Sequence, residues 1–164
     1  MFFYKVTSEI HIKSINEKVW SLISTPKYLE EVHPFCKQNN ILEIKDKKIK
    51  KDLLIYINGL EYVRIFKEWK NGIGYELLVG KEKGKKSRVK WLLSPSNKGT
   101  KLSISILPYV SDKIFFLFRP FIYFFIVRPG LKKYLFSVLH GIKWVAETDT
   151  PVKKNQFGKH PWFT

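Results

Sequence analysis

The sequence predicts an α+β domain, with an antiparallel sheet of about six or seven strands, two short helices after the first strand, and one long C-terminal helix. Three observations carry this. Apolar residues alternate with a period of two through most of the first two thirds of the chain. Short turns separate the alternating runs, which favours antiparallel neighbours over parallel ones. Near the end the period changes to three and four, over residues 129–148. An antiparallel sheet must cover one face, and this closing helix is the only large element available to do so.

The elements follow in order. In residues 4–13, Val6, Ser8, Ile10 and Ile12 face one way and Lys5, Thr7, Glu9 and His11 the other. Ser14-Ile15-Asn16-Glu17 fits a capping box, with Ser14 as N-cap. Val19, Trp20, Leu22 and Ile23 follow at helical spacing. Pro26 is placed to open a second short helix through Val32, and His33-Pro34 ends it. Strands are then expected at residues 41–45, 51–57, 60–69, 75–79, 88–93 and 102–106. Asn58-Gly59 reads as a two-residue hairpin turn and Asn71-Gly72 as another turn. Residues 94–99 read as a loop. Pro129 is expected to start the last helix, where Leu131, Leu135, Val138, Ile142 and Val145 form the apolar stripe, with Tyr134 and Leu139 beside it.

Residues 1–150 read as one ligand-binding domain, with 114–128 as an apolar insertion. Residues 151–164 read as an extended tail whose Phe157, Trp162 and Phe163 pack back on it. The chain has 164 residues, 45% of them apolar and 16% aromatic. A chain of this length buries roughly 70% of its unfolded surface and needs no disulfide or metal. Cys36 is the only cysteine, which fits a reducing compartment. The N-terminal residues lack the apolar core of a signal peptide. The expected location is the cytoplasm, with peripheral contact at the inner face of the membrane.

The net charge is +16, from 30 basic and 14 acidic residues. Such an excess attracts anionic surfaces. The abundance of Lys, Asn, Ile, Phe and Tyr is also what AT-rich coding produces. Nucleic acid is not the expected partner. Only Arg64, Arg88, Arg119 and Arg128 are arginines, and no helix-turn-helix, RRM or KH signature is present. No pattern in the chain sets an oligomeric state.

The order of elements resembles the helix-grip fold of the START and polyketide-cyclase (SRPBCC) superfamily. The likeness is carried by IHIKSINEKVWSLIS with its Val19-Trp20 pair, by the sheet, and by LKKYLFSVLHGIKWVAET. Segments such as EVHPFC, YVRIF and NQFGKHPWF are similar to an uncharacterised bacterial subgroup. The resemblance implies a curved sheet gripping the C-terminal helix around an apolar cavity that takes a hydrophobic, lipid-like small molecule. Some members of the superfamily are enzymes and many are carriers.

The expected cavity residues are Trp20, Tyr62, Arg64, Tyr75, Trp91, Ile104, Leu135 and Leu139. Arg64 stands between Tyr62 and Phe66 on one strand face. If that face points inward, its cation wants an anionic ligand group or a carboxylate. If Val63 and Ile65 point inward, Arg64 is solvated. Gly141 leaves room either for a ligand or for close packing.

Residues 114–127 hold six phenylalanines and one charge. They are too few for a bilayer span, which needs roughly 20. With Lys113, Arg119, Arg128, Lys132 and Lys133 around them, they suit an anionic membrane surface, a lid over the cavity, or a dimer surface. Phe115, Phe116, Phe118, Arg119, Phe124 and Phe125 are the candidates.

No catalytic set, cofactor or metal site is expected. His33 and Cys36 lie three apart with no second pair to complete a zinc site, and as a nucleophile pair they stand alone. A cyclase or dehydratase would need a polar pair such as Arg64 with Glu76 or Tyr75. A membrane-docked interaction protein without a ligand is the third alternative.

Overall fold

The computed structural model describes residues 4–164. The start of the first alternating run, at residues 1–3, lies outside the described residues. Seven antiparallel strands form one curved sheet in the order β1-β7-β6-β5-β4-β3-β2. They are β1 (Val6–Ile12), β2 (Cys36–Lys45), β3 (Lys48–Tyr56), β4 (Glu61–Lys70), β5 (Gly74–Gly80), β6 (Ser87–Ser96) and β7 (Gly99–Leu107). Two short helices, α1 (Asn16–Ser24) and α2 (Leu29–Val32), follow β1. The last strand returns to pair with the first, Val6 opposite Ile106 and Ile12 opposite Thr100.

Several local expectations are corrected. The capping box does not form. The cap position is Ile15, with no side-chain bond. The Ser14 carbonyl instead accepts from the Thr100 hydroxyl at 2.8 Å, because the β6–β7 hairpin packs against this turn. Pro26 does not open α2. Lys27 takes φ +65°, a left-handed value that no α-helix contains, and the helix starts at Leu29. Residues 94–96 are strand, not loop, and Pro95 sits opposite Thr100.

The Asn58-Gly59 hairpin is a three-residue loop. The Gly59 N–H donates to Tyr56 O, and Tyr56 N–H donates to Leu60 O. Gly59 supplies the left-handed residue at φ +85° that such loops require. One loop residue more than a two-residue turn moves the register by one, so Asp52 lies opposite Arg64.

Pro129 does not begin the C-terminal helix. Helical structure starts at a single 3₁₀ turn, Phe116–Phe118. It continues through α3 (Arg119–Ile122) and a π turn (Tyr123–Val127) into α4 (Arg128–Thr148). Pro129 has no N–H for the Phe125 carbonyl and its ring crowds that oxygen. The wider π turn before it accommodates both facts. The apolar insertion is therefore an N-terminal extension of the gripping helix. No described helix is long and apolar enough to cross a membrane.

The buried side of α4 carries Leu135, Val138, Leu139, Ile142 and Val145. Gly141 serves packing: a Cβ there would lie 2.0 Å from the Val32 carbonyl oxygen. It lets α4 touch the end of α2 and opens no space for a ligand. The tail is tied by Val152 N–H to Glu31 O and Asn155 N–H to Pro34 O, each 2.9 Å. Phe163 enters the core, Trp162 packs partly buried against it, and the Phe157 ring lies 5.8 Å from His140.

Candidate functional site

A cavity of about 100 Å³ lies between the sheet and α4. The sheet contributes Leu54, Tyr56, Tyr62, Arg64, Leu77, Val79, Ser87, Val89, Trp91, Ile104 and Ile106. Leu29 and His33 close one side. Leu131, Tyr134, Leu135 and Val138 come from α4, and Phe163 from the tail. The strand residues alternate as the pleat demands: Leu54 and Tyr56 on β3, Tyr62 and Arg64 on β4, Leu77 and Val79 on β5. Tyr62, Val79, Ser87, Leu131 and Tyr134 are half-buried, and mark where the cavity approaches solvent.

Of the expected cavity residues, Tyr62, Arg64, Trp91, Ile104 and Leu135 border this space, and Trp20, Tyr75 and Leu139 do not. Trp20, at the middle of α1, packs against Trp69, ring centres 5.5 Å apart. Tyr75 lies behind the wall, its hydroxyl held by Tyr28 and the Ile23 carbonyl. Leu139 is buried in the core away from the cavity.

Arg64 points inward, and its anion is internal. Arg64 Nε and Nη2 donate to the two carboxylate oxygens of Asp52 at 2.8 and 2.6 Å. This is a bidentate pair with both side chains nearly inaccessible. Arg64 Nη1 donates to the Tyr28 hydroxyl at 2.8 Å. Tyr28 then donates to Tyr75 at 2.8 Å, and Tyr75 to the Ile23 carbonyl at 3.3 Å. That chain is ordered throughout, because it ends on a group that only accepts. Burial opposes the Arg64 charge, but Asp52 and Tyr28 beside it hold its pKa well above its ordinary value. The Arg64–Glu76 pair that a cyclase or dehydratase would need does not form; Glu76 meets Arg88 at 3.3 Å.

A second chain runs along the other side. The Phe35 N–H donates to His33 Nδ1 at 3.2 Å. His33 therefore carries its proton on Nε2, which donates to the Tyr134 hydroxyl at 2.8 Å. Tyr134 and Tyr56 share a 3.2 Å hydrogen bond. Burial, with Arg64 nearby, pushes the His33 pKa down to about 3, so the ring is neutral. Burial raises the Tyr134 phenol and lifts Tyr56 well above its ordinary value. Neither nitrogen of His33 serves Cys36, whose thiol burial pushes up to about 12. Both sides of a nucleophile pair are thus disabled. Among the described residues, no aspartate or glutamate borders the cavity.

Sequence reasoning missed Asp52, Tyr28, His33, Tyr56, Tyr134 and Phe163 as site residues. Asp52 had a signal: it shares strand parity with Leu54 and Tyr56, and is the one acid in the run KIKKDLLIY.

The lid expectation is corrected. None of Phe115, Phe116, Phe118, Arg119, Phe124 and Phe125 borders the cavity. Phe115, Phe116, Leu117, Phe118, Phe121, Phe124, Phe125 and Ile126 stand between 46% and 69% exposed. Arg119 folds back, its Nε donating to Ile114 O at 3.0 Å. Lys132 reaches the Thr7 carbonyl. Lys113, Arg128 and Lys133 are exposed beside the apolar ridge.

With this geometry in hand, likeness to solved structures defines the class. A START superfamily protein from Mycobacterium smegmatis superposes with a TM-score of 0.71 at 14% identity, covering 90% of this chain and 100% of that one. DynU16, a protein of the dynemicin biosynthetic locus, gives 0.62 at 11% identity over 90% of this chain and 48% of its own. Ara h 8.0201 gives 0.61 at 12% identity over 87% and 97%. The chain has the START-type helix-grip fold. No family model and no curated protein matches its sequence.

Proposed function

We propose that this protein binds a hydrophobic small molecule in the cavity between sheet and α4, and exchanges it at an anionic membrane surface. The cavity itself carries the first half. A concave, mostly apolar space with a few convergent polar groups is the usual form of a small-molecule site. Its volume of about 100 Å³ lies below the roughly 300–1,000 Å³ of typical ligand pockets. It fits a compact guest as it stands. A long-chain lipid would require Leu131, Tyr134 and Phe163 to give way.

Native mass spectrometry of the purified protein, followed by solvent extraction, tests this half. An apolar molecule of defined mass, released on denaturation, is the expected result. A bare protein that also takes up no apolar probe dye would overturn it. A cyclase or dehydratase has weaker support, because the titratable groups on the wall, His33 and the tyrosines, are shifted away from neutral pH.

The second half rests on the phenylalanine ridge. It leads directly into Leu131 and Tyr134 at the half-exposed side of the cavity. Apolar side chains on a helix flanked by lysine and arginine bind at the headgroup boundary of anionic bilayers. Phe115→Ser with Phe116→Ser removes roughly 3 kcal/mol of insertion energy. Flotation with vesicles containing phosphatidylglycerol should show partitioning reduced about 100-fold. Unchanged flotation would remove the membrane reading and leave the cavity reading intact.

A further inference from the structure

We infer that the cavity selects an electrically neutral, compact apolar guest bearing a carbonyl-type hydrogen-bond acceptor, and rejects its carboxylate counterpart. This rests on the cavity-binding reading above and deepens it. His33 Nε2, Tyr134 and Tyr56 bring three N–H or O–H protons to their chain, and the chain contains two hydrogen bonds. Whichever way the Tyr56–Tyr134 bond points, one phenolic proton is left without an acceptor among the described residues. The Tyr28–Tyr75 chain differs, since its last proton reaches the Ile23 carbonyl.

Arg64 adds to the surplus. Three of its N–H groups are taken, by Asp52 and Tyr28. A guanidinium has five, so two remain without a hydrogen bond among the described residues. Arg64 is 4% exposed and Tyr56 2% exposed, and both border the cavity. Buried donors without acceptors are destabilising. An acceptor in the cavity recovers that cost.

Charge decides which acceptor. Asp52 already neutralises Arg64 through the bidentate pair. His33 is neutral in its packed setting, with Nδ1 accepting from Phe35. The wall therefore offers donors without net charge. A carboxylate would bring a charge out of water with no opposite charge to meet it. A carbonyl or ester oxygen gains the same hydrogen bonds without that penalty.

Three guests of one shape test this: acetophenone, benzoate and ethylbenzene. Titration into ¹⁵N-labelled protein, followed at the Trp91 indole, should rank acetophenone about tenfold or more tighter than either of the others. Isotope-edited infrared spectra of carbonyl-labelled acetophenone should show the bound stretch moved down from its value in hexane. Equal affinity for ethylbenzene, or a hexane-like stretch, would overturn the acceptor inference while leaving the cavity as a binding site. Tightest binding by benzoate would overturn the neutrality argument. Binding of none of the three would remove the cavity reading itself, and this inference with it.

Discussion

Asp52→Ala lowers the stability of the folded protein by about 3–5 kcal/mol, which is the usual cost of leaving one partner of a buried ion pair unmatched. Asp52 is fully buried and Arg64 nearly so. Arg64 retains its charge in any environment a protein provides, so it cannot escape by losing a proton. Two short bonds, at 2.8 and 2.6 Å, disappear together. The Arg64 guanidinium also lies 5.2 Å from the Tyr28 ring centre and 5.3 Å from that of Phe66. Those contacts remain but do not replace a carboxylate, since a cation–π contact is worth only about 0.5–2 kcal/mol. Urea denaturation measures the effect. With a slope of about 2 kcal/mol/M, the midpoint falls by roughly 2 M. A shift below about 0.5 M would mean that water or a neighbour solvates the orphaned guanidinium.

Removing both charges separates stability from ligand choice. Asp52→Leu with Arg64→Met leaves no unpaired ion, and such exchanges are often neutral or stabilising. Most of the loss seen for Asp52→Ala should return. The two spare guanidinium N–H groups are gone as well, so the preference for acetophenone over ethylbenzene should shrink. The pair thus acts as a neutral source of donors held in place by β3 and β4.

The position of that pair shows where the sequence was legible and where it was not. Alternation over residues 4–13 and 102–106 located β1 and β7, because one face of each is buried and the other is not. The helical stripe from Leu131 to Val145 was equally plain. β3 and β4 were harder, since Leu53 and Ile55 on one face look as apolar as Leu54 and Tyr56 on the other. Parity there depends on the hairpin. A two-residue Asn-Gly turn and a three-residue loop ending in glycine share the same letters, yet they differ by one in register. Only the second puts Asp52 opposite Arg64.

The same limit applies to the helix start. Pro129 reads as a boundary because proline favours first turns. A continuous helix absorbs it through the π turn at Tyr123–Val127. Phe163 had no periodicity to place it, and only the tail's return to α2 and α4 brings it to the cavity wall.

His33 makes the protein acid-sensitive well above the range where carboxylates titrate. In the folded state its pKa is about 3, because burial disfavours the imidazolium and Arg64 adds repulsion. In the unfolded chain the value is about 6.5. Between these limits the unfolded state binds the extra proton, so stability rises with pH and is lost as pH falls from 6.5 towards 3. The slope is about 1.4 kcal/mol per pH unit for one proton. His160 is shifted down in the same sense by its burial, so the contribution of His33 must be taken by difference. His33→Gln keeps an amide donor for Tyr134 and removes the titration. Measured by urea denaturation between pH 6.5 and 4.5, the wild type should lose about 2 kcal/mol more than this variant. Parallel profiles would show that His33 accepts a proton while folded. Its Nδ1 could then no longer accept from Phe35, and the fixed direction of the His33–Tyr134–Tyr56 chain would fall with it. A steeper wild-type profile would establish that the ring stays neutral, so that its single proton is committed to Tyr134 and the surplus donor belongs to the two phenols on the cavity wall.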